Sequence, residues 1–416
     1  MDAARPRAVA SEPHDRHSAF FSGTAVALSR AVDWPIQPVE IQRRFVPRFC
    51  PRKECAAHVL EPGGRFRFQY DGSYRRRDGR RVPRYRCVVG KHRFSKRAFA
   101  VTYYLKRPEL IEPIFAGLQA GSGHRQLARS LGCAPSTVTR QSARLGRHAL
   151  LLTATALAEL DAVDERLVID HFESFVRTQD YPVGVATVVG RGSWFIYGLD
   201  PAPHKRTGTR SSFQEAKRKA RAPQATKGGY TGSMVRVLDS LLHFFPENPT
   251  IGLTTDGMTA YTDALRQRRF VGRFEHRACP NPKRGPKGSP RSPEAIRRDN
   301  AMFPVDTLHK LLRHSECHHR RETIAFGRRT NAILERLYLA AVWRNFVKKV
   351  TERSPVKVTP AMRVGLAVEP WTWRRVLARR LFPGRVLLPK SWIDLYKRAW
   401  ITPGGPNCPH EKALAY

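Results

Sequence analysis

The sequence predicts an α/β protein in which a mixed sheet is preceded by two smaller modules, and three observations predict it. Two short aliphatic and β-branched runs, Leu167-Val168-Ile169 and Ile251-Gly252-Leu253-Thr254-Thr255, each lead into an aspartate, Asp170 and Asp256. Runs of this length and composition are core strands. Between them lie strand-like segments at 183–189 and 194–199, joined by Gly190-Arg191-Gly192 as a hairpin turn, and then a helical period over 233–244. Upstream of both, a Cys/His pattern and a two-helix pattern read as separate small units.

Charge sets the class of partner. The 416 residues carry 74 Lys and Arg against 35 Asp and Glu, a formal net charge of +39. Such an excess repels itself unless a polyanion neutralises it, so nucleic acid is the expected partner. A hydrophobic content of 41% and an aromatic content of 10% describe a folded basic protein and not a disordered tail. No run of about 18 apolar residues is present, so no membrane association is expected. Seven scattered cysteines do not form a secreted disulfide framework, and a reducing cytoplasm is expected.

Taken in order, residues 1–44 are mixed and without period, a poorly ordered leader. Residues 45–100 hold two ligand pairs, Cys50 with Cys55 and Cys87 with His92, separated by turns at Pro62-Gly63-Gly64 and Asp71-Gly72. Two such pairs around a hairpin describe a zinc ribbon with a closed structural site, His58 being a spare fourth ligand. Unrelated buried thiols are the alternative.

Residues 101–150 carry helices. In 125–145, Leu127, Ala128 and Leu131 form one apolar face, Gly132 allows a tight turn and Ser136 is the expected cap of a second helix. That is a helix-turn-helix arrangement. It turns Thr137, Thr139, Arg140, Gln141 and Arg144 outward toward a DNA major groove, and an ordinary helical hairpin is the alternative. A Leu/Ala-rich helix at about 149–160 leads to the sheet.

The core spans 160–351 with basic insertions at 201–232 and 279–298, and a basic, Trp-containing region follows at 352–416. Helices are expected at 305–314 and 331–350. His314, Cys317, His318 and His319, among arginines, read as a basic surface facing DNA.

Each aspartate alone reads better as a cap or turn residue, and Asp256-Gly257 is a common turn pair. Together they point to a metal site, because a carboxylate beside a buried strand is costly unless something pairs with it. Strand with Asp, two antiparallel strands, helix, strand with Asp and a late helix with an acid is the order of the ribonuclease H-like fold. Two hard cations held by such carboxylates activate the attacking oxygen and stabilise the leaving oxygen in phosphodiester displacement.

On these residues the chain resembles the bacterial insertion-sequence transposases with a DDE-type ribonuclease H-like core, in particular those like the transposase of the first-numbered insertion sequence. The resemblance covers most of 45–350. It includes the Cys-rich ribbon, the helix-turn-helix, Ile169-Asp170, Thr255-Asp256-Gly257-Met258-Thr259-Ala260-Tyr261, and the interval from Asp306 to Thr323.

The resemblance implies that Asp170, Asp256 and Asp306 hold two magnesium or manganese ions, Asp306 standing where the family has Glu. Glu316 and Glu322 are alternatives for the third acid, and His309, one turn after Asp306, is expected near the scissile phosphate. It further implies binding of element ends and target DNA, strand cleavage and strand transfer, a homo-oligomer on DNA, and a place on the bacterial nucleoid. A non-catalytic DNA-binding regulator, or a structure-specific nuclease on the same fold, are the alternative readings.

Overall fold

The computed structural model describes residues 45–76, 79–204, 211–221, 229–283, 285–286, 288–320 and 323–405. The leader at 1–44 and Glu322 lie outside the described residues, as does part of the 201–232 insertion. Residues 44–416 make one compact unit.

A three-stranded antiparallel sheet comes first: β1 (Phe68–Arg75), β2 (Arg81–Cys87) and β3 (Arg93–Ser95), in that order. Its small core is aromatic and sulfur-rich, with Cys50, Cys55, Cys87, Tyr85 and Phe94 buried and Phe45, Phe66 and Phe99 packed against them.

Three helices follow: α1 (Ile111–Gln119), α2 (His124–Ser130) and α3 (Pro135–Ala158). Gly132, at φ +55°, makes the turn between α2 and α3, a backbone conformation that glycine adopts without steric cost. Pro135 occupies the first turn of α3, where its missing N–H costs nothing. The cap position is Ala134 and not Ser136, which lies inside the helix. The two helical segments expected on either side of residue 149 are one 24-residue helix. Its second half is buried almost all round, as befits a helix enclosed by other elements.

The main sheet has the order β6-β5-β4-β7-β8, from β4 (Leu167–Phe175), β5 (Pro182–Gly190), β6 (Ile196–Pro203), β7 (Ile251–Thr255) and β8 (Phe274–Ala278). β4 is antiparallel to β5 and β5 to β6, whereas β7 is parallel to β4 and β8 to β7. Leu167, Val168 and Ile169 are fully buried, which a strand covered on both faces requires. β8 is the edge and mostly exposed.

The connections are helical. Between β6 and β7 stand α4 (Ser212–Arg221) and α5 (Gly229–Phe244), so the described residues of the 201–232 insertion include the end of β6, α4 and the start of α5. α6 (Thr259–Leu265) joins β7 to β8. α7 (Pro293–Ser315) begins well before the expected 305, with the Ser292 hydroxyl accepting from Ala295 N at 3.2 Å and Pro293 in the first turn. Thus the 279–298 connector ends at Ser292, and Asp306 lies in mid-helix and caps nothing.

α8 (Thr330–Val342) packs on α3 and continues into a π-helical stretch, Trp343–Val347. The Asn345 amide there accepts from Ile196 N at 2.9 Å and donates to Ile196 O at 3.0 Å, docking the stretch on the first residue of β6. Glu335 of α8 is buried with Arg147 of α3 and Arg398, each at 3.1 Å.

From 352 to 405 the chain is a strap of short turns and helices, α9 (Pro360–Arg363), α10 (Trp373–Val376) and α11 (Lys390–Tyr396). Phe382 meets Phe49 edge-on at 5.2 Å, Trp373 packs on Phe115 at 3.9 Å and Trp392 on Tyr338 at 5.2 Å. These contacts tie the three-stranded sheet, α1 and α8 to one segment. Trp371 and Trp392, both 3% exposed, are packing residues. Among the described residues, no helix is long and apolar enough to cross a membrane.

Candidate functional site

The main sheet brings two of the aspartates side by side. β4 and β7 run parallel with Leu167 opposite Leu253 and Val168 opposite Thr254. Two residues beyond these pairs come Asp170 and Asp256, near enough that the charge of Asp256 raises the Asp170 pKa. Asp170 is not where its strand ends, as the sequence suggested. β4 continues to Phe175, because His171-Phe172-Glu173-Ser174-Phe175 keeps alternating between the faces.

On one face of β4, Asp170 and Phe172 point toward α7, where Phe172 meets His309 at 5.3 Å. On the other, His171 stacks on Tyr261 of α6 at 5.5 Å and meets Tyr230 of α5 at 4.6 Å. Around Asp170, Oδ1 accepts from His171 N at 2.8 Å and from the Tyr261 hydroxyl at 3.4 Å. Its Oδ2 stands 3.8 Å from His309 Nδ1.

Burial first, and then the charges of Asp256 and Asp306, push the Asp170 carboxyl up to about 7. The Asp170 carboxyl therefore feels both other acids. Asp256 spends one oxygen on Met258 N at 3.1 Å, the turn role open to it in the sequence, over Gly257 at φ +83°.

Asp306 is occupied differently. Arg298 of α7 places Nη1 on its Oδ2 and Nη2 3.4 Å from its Oδ1. Sequence reading missed Arg298, because the start of α7 lies in a Pro- and Arg-rich stretch. The signal was Ser292-Pro293-Glu294, a cap, a first-turn proline and a first-turn acid. The three carboxylates are more widely spaced than a collapsed ligand set: among the described residues, only Cys50, Cys55 and Cys87 bring three such ligand atoms within 4.8 Å of one another.

Glu316, an alternative third acid, is fully buried and paired with Arg336 at 2.9 Å, with Gln119 donating at 3.3 Å. It holds α1 to α8 and faces no site. Glu173, near the exit of β4, accepts from the Tyr230 hydroxyl and lies 3.3 Å from His204.

The thiol cluster is ready for a metal. Cys55 and Cys87 sulfurs stand 3.7 Å apart, and Gly90 N donates to Cys87 Sγ at 3.3 Å. Two sulfurs each about 2.3 Å from one tetrahedral ion lie about 3.8 Å apart. Without an ion, burial and the neighbouring thiols push Cys50 up to about 12.

His92 flanks the cluster: a Cβ at Gly90 would come 2.7 Å from Cys55 Sγ and 3.0 Å from His92 Nε2. It stands outside the mutual 4.8 Å of the sulfurs. His58 is excluded as the fourth ligand through Nδ1, which donates to Cys50 O at 2.8 Å, and its ring packs on Phe49 and Phe382.

The helix-turn-helix face borders a groove of about 1360 Å³, whose other wall is residues 324–329. Eleven Lys and Arg line it and no Asp or Glu does. Thr139 and Arg140 are exposed and Thr137 is half-buried. Thr139 Oγ1 donates to Pro135 O at 3.0 Å and lies 3.1 Å from His124 Nδ1.

Gln141 is a correction. It is 6% exposed, because the continuous helix turns that position into the interior. Arg144 is committed to the protein, donating to Val101 O at 2.9 Å and Tyr103 O at 3.0 Å. Of the expected His/Cys surface, His314 is exposed, but the other three residues are a correction. Cys317, His318 and His319 are buried, His319 Nδ1 lying 2.7 Å from Ser174 Oγ, and burial with Arg336 nearby keeps both imidazoles neutral.

Comparison with protein-family models finds no match, and comparison with curated proteins finds none either.

Proposed function

We propose that the protein is a DNA transposase that binds the terminal repeats of its element and performs metal-dependent strand cleavage and strand transfer. The observation that carries this reading is that Asp170 and Asp256 follow adjacent parallel runs of β4 and β7, with Asp256 and, on α7, Asp306 close enough to raise the Asp170 pKa. The reading is supported by the mixed five-stranded sheet, three antiparallel strands with two parallel ones on the far side of the first, an order compatible with a ribonuclease H-like core.

Under this reading Asp170 and Asp256 hold magnesium or manganese, and Asp306 joins them when Arg298 is displaced. The ions supply Lewis acidity for attack of water, and then of a freed 3′ hydroxyl, on phosphodiesters. Cys50, Cys55 and Cys87, with His92 beside them, hold a structural zinc in a ribbon. The basic groove grips DNA, Thr137, Thr139 and Arg140 facing the bases. Bringing two ends together requires at least two copies on DNA.

The test is cleavage of a labelled duplex carrying the DNA that flanks the gene. Nicking by the wild type with magnesium, lost in Asp170→Asn and Asp256→Asn while binding persists, supports the reading. Binding without nicking under any divalent ion leaves a DNA-binding regulator, and cleavage governed by branched structure and not by the flanking sequence leaves a structure-specific nuclease.

A further inference from the structure

We propose that His309 is itself a ligand, through Nδ1, of the cation that Asp170 binds. The inference rests on the metal-dependent reading above and adds a nitrogen donor where only carboxylates were expected.

The hydrogen-bond chain beneath the ring fixes its tautomer. The Thr187 hydroxyl donates its only proton to Asp170 O at 3.0 Å. Its oxygen therefore meets His309 Nε2, 2.8 Å away, as an acceptor, and Nε2 carries the ring proton. That leaves Nδ1 a bare lone pair. The ring is held from the side by Phe172 at 5.3 Å.

Nδ1 faces Asp170 Oδ2 at 3.8 Å, beyond hydrogen-bond reach. Two electron-pair donors turned toward one space repel each other unless a cation stands between them. Two ligands each about 2.1 Å from one divalent ion lie at most about 4.2 Å apart, so the observed separation is within the reach of a single ion.

Asp306, one turn earlier on the same helix, is meanwhile engaged by Arg298. In this arrangement α7 offers the ion an imidazole and not a carboxylate. Imidazole suits first-row transition ions better than magnesium, which takes oxygen ligands, so a nitrogen donor shifts the site's preference from magnesium toward a transition ion such as manganese.

The test is pulsed electron paramagnetic resonance on the zinc-loaded full chain with one equivalent of manganese, reading whether nitrogen is coordinated to the ion. A ¹⁴N modulation is expected in the wild type and in His171→Gln, and is lost in His309→Gln. Replacing the histidines of the unmutated protein by ¹⁵N-histidine changes the isotope signature, which identifies histidine without relying on a variant's folding. The manganese dissociation constant rises about tenfold in His309→Gln, and the magnesium constant moves less than about twofold. Manganese bound without nitrogen coupling overturns the role of His309 and leaves the carboxylate site standing. No manganese bound beyond the zinc site overturns both.

Discussion

Arg298 and Asp306, eight residues apart on α7, are joined at both ends of the guanidinium fork, with Nη1 on Oδ2 and Nη2 on Oδ1. Asp170 also lies close enough to Arg298 to raise its pKa. The guanidinium thus does part of what a cation does in an acidic site, offsetting carboxylates that would otherwise repel one another.

Removing it leaves that repulsion bare. The side chains of Arg298 and Asp306 are 15% and 28% exposed, so the loss is smaller than for a fully buried pair. Arg298→Ala is expected to lower metal-free stability by about 1–2 kcal/mol. Magnesium or manganese should restore it, as urea unfolding with and without the ion would read. A deficit that the ion leaves untouched would mean that Arg298 acts only in α7 packing.

Asp170 predicts a pH dependence of known sign. Its carboxyl is raised from 3.8 to about 7, so across that window the folded state binds more protons than the unfolded chain. Stability of the metal-free protein therefore falls as pH rises from about 4 to about 7, by about 2–4 kcal/mol in all. Asp170→Asn should flatten this slope and be the more stable protein at pH 8. Identical pH profiles for the two proteins would mean that the Asp170 carboxyl titrates alike in the folded and unfolded chains.

At the thiol cluster, Gly90→Val is the sharpest probe. A side chain there meets Cys55 Sγ and His92 at once. The variant should carry less than one zinc per chain by elemental analysis, as should Cys87→Ser. A chelator should melt the three-stranded sheet, which has only a small aromatic core of its own. Full zinc content in Gly90→Val would place the metal elsewhere.

In the groove, Arg328→Glu with Arg329→Glu, on the wall facing the helix-turn-helix, should weaken DNA binding and shallow its salt dependence by about 2 phosphate contacts. Gln141→Ala should leave affinity for any duplex unchanged, since that side chain is buried. Fluorescence anisotropy across a salt series measures both.

How much of this was legible in the sequence follows from where local pattern and tertiary burial agree. Asp170 and Asp256 stood out because apolar runs of strand length precede them, and those runs form adjacent parallel strands. The end of β4 was misread because its second half alternates with polar residues, one of which, His171, is buried between Tyr230 and Tyr261.

Gln141 looked outward by composition. Its direction depends on α3 being a single long helix clamped by α8, which no window of a few turns reveals. Arg298 was hidden because charge and proline masked the first turns of α7, and a pair eight residues apart is visible only once both residues are known to share a helix. His318 and His319 looked like surface for the same reason: neighbouring arginines dominate the local composition, while His319 is buried against Phe172 and Ser174 of a distant strand and His318 beside Glu316.

The central claim, that Asp170 and Asp256 share a divalent cation, is tested most directly by anomalous diffraction from crystals soaked in manganese. A peak within ligand distance of both carboxylates, absent from Asp170→Asn crystals, is the predicted result. Crystals whose only anomalous peak lies at the cysteine cluster would contradict it.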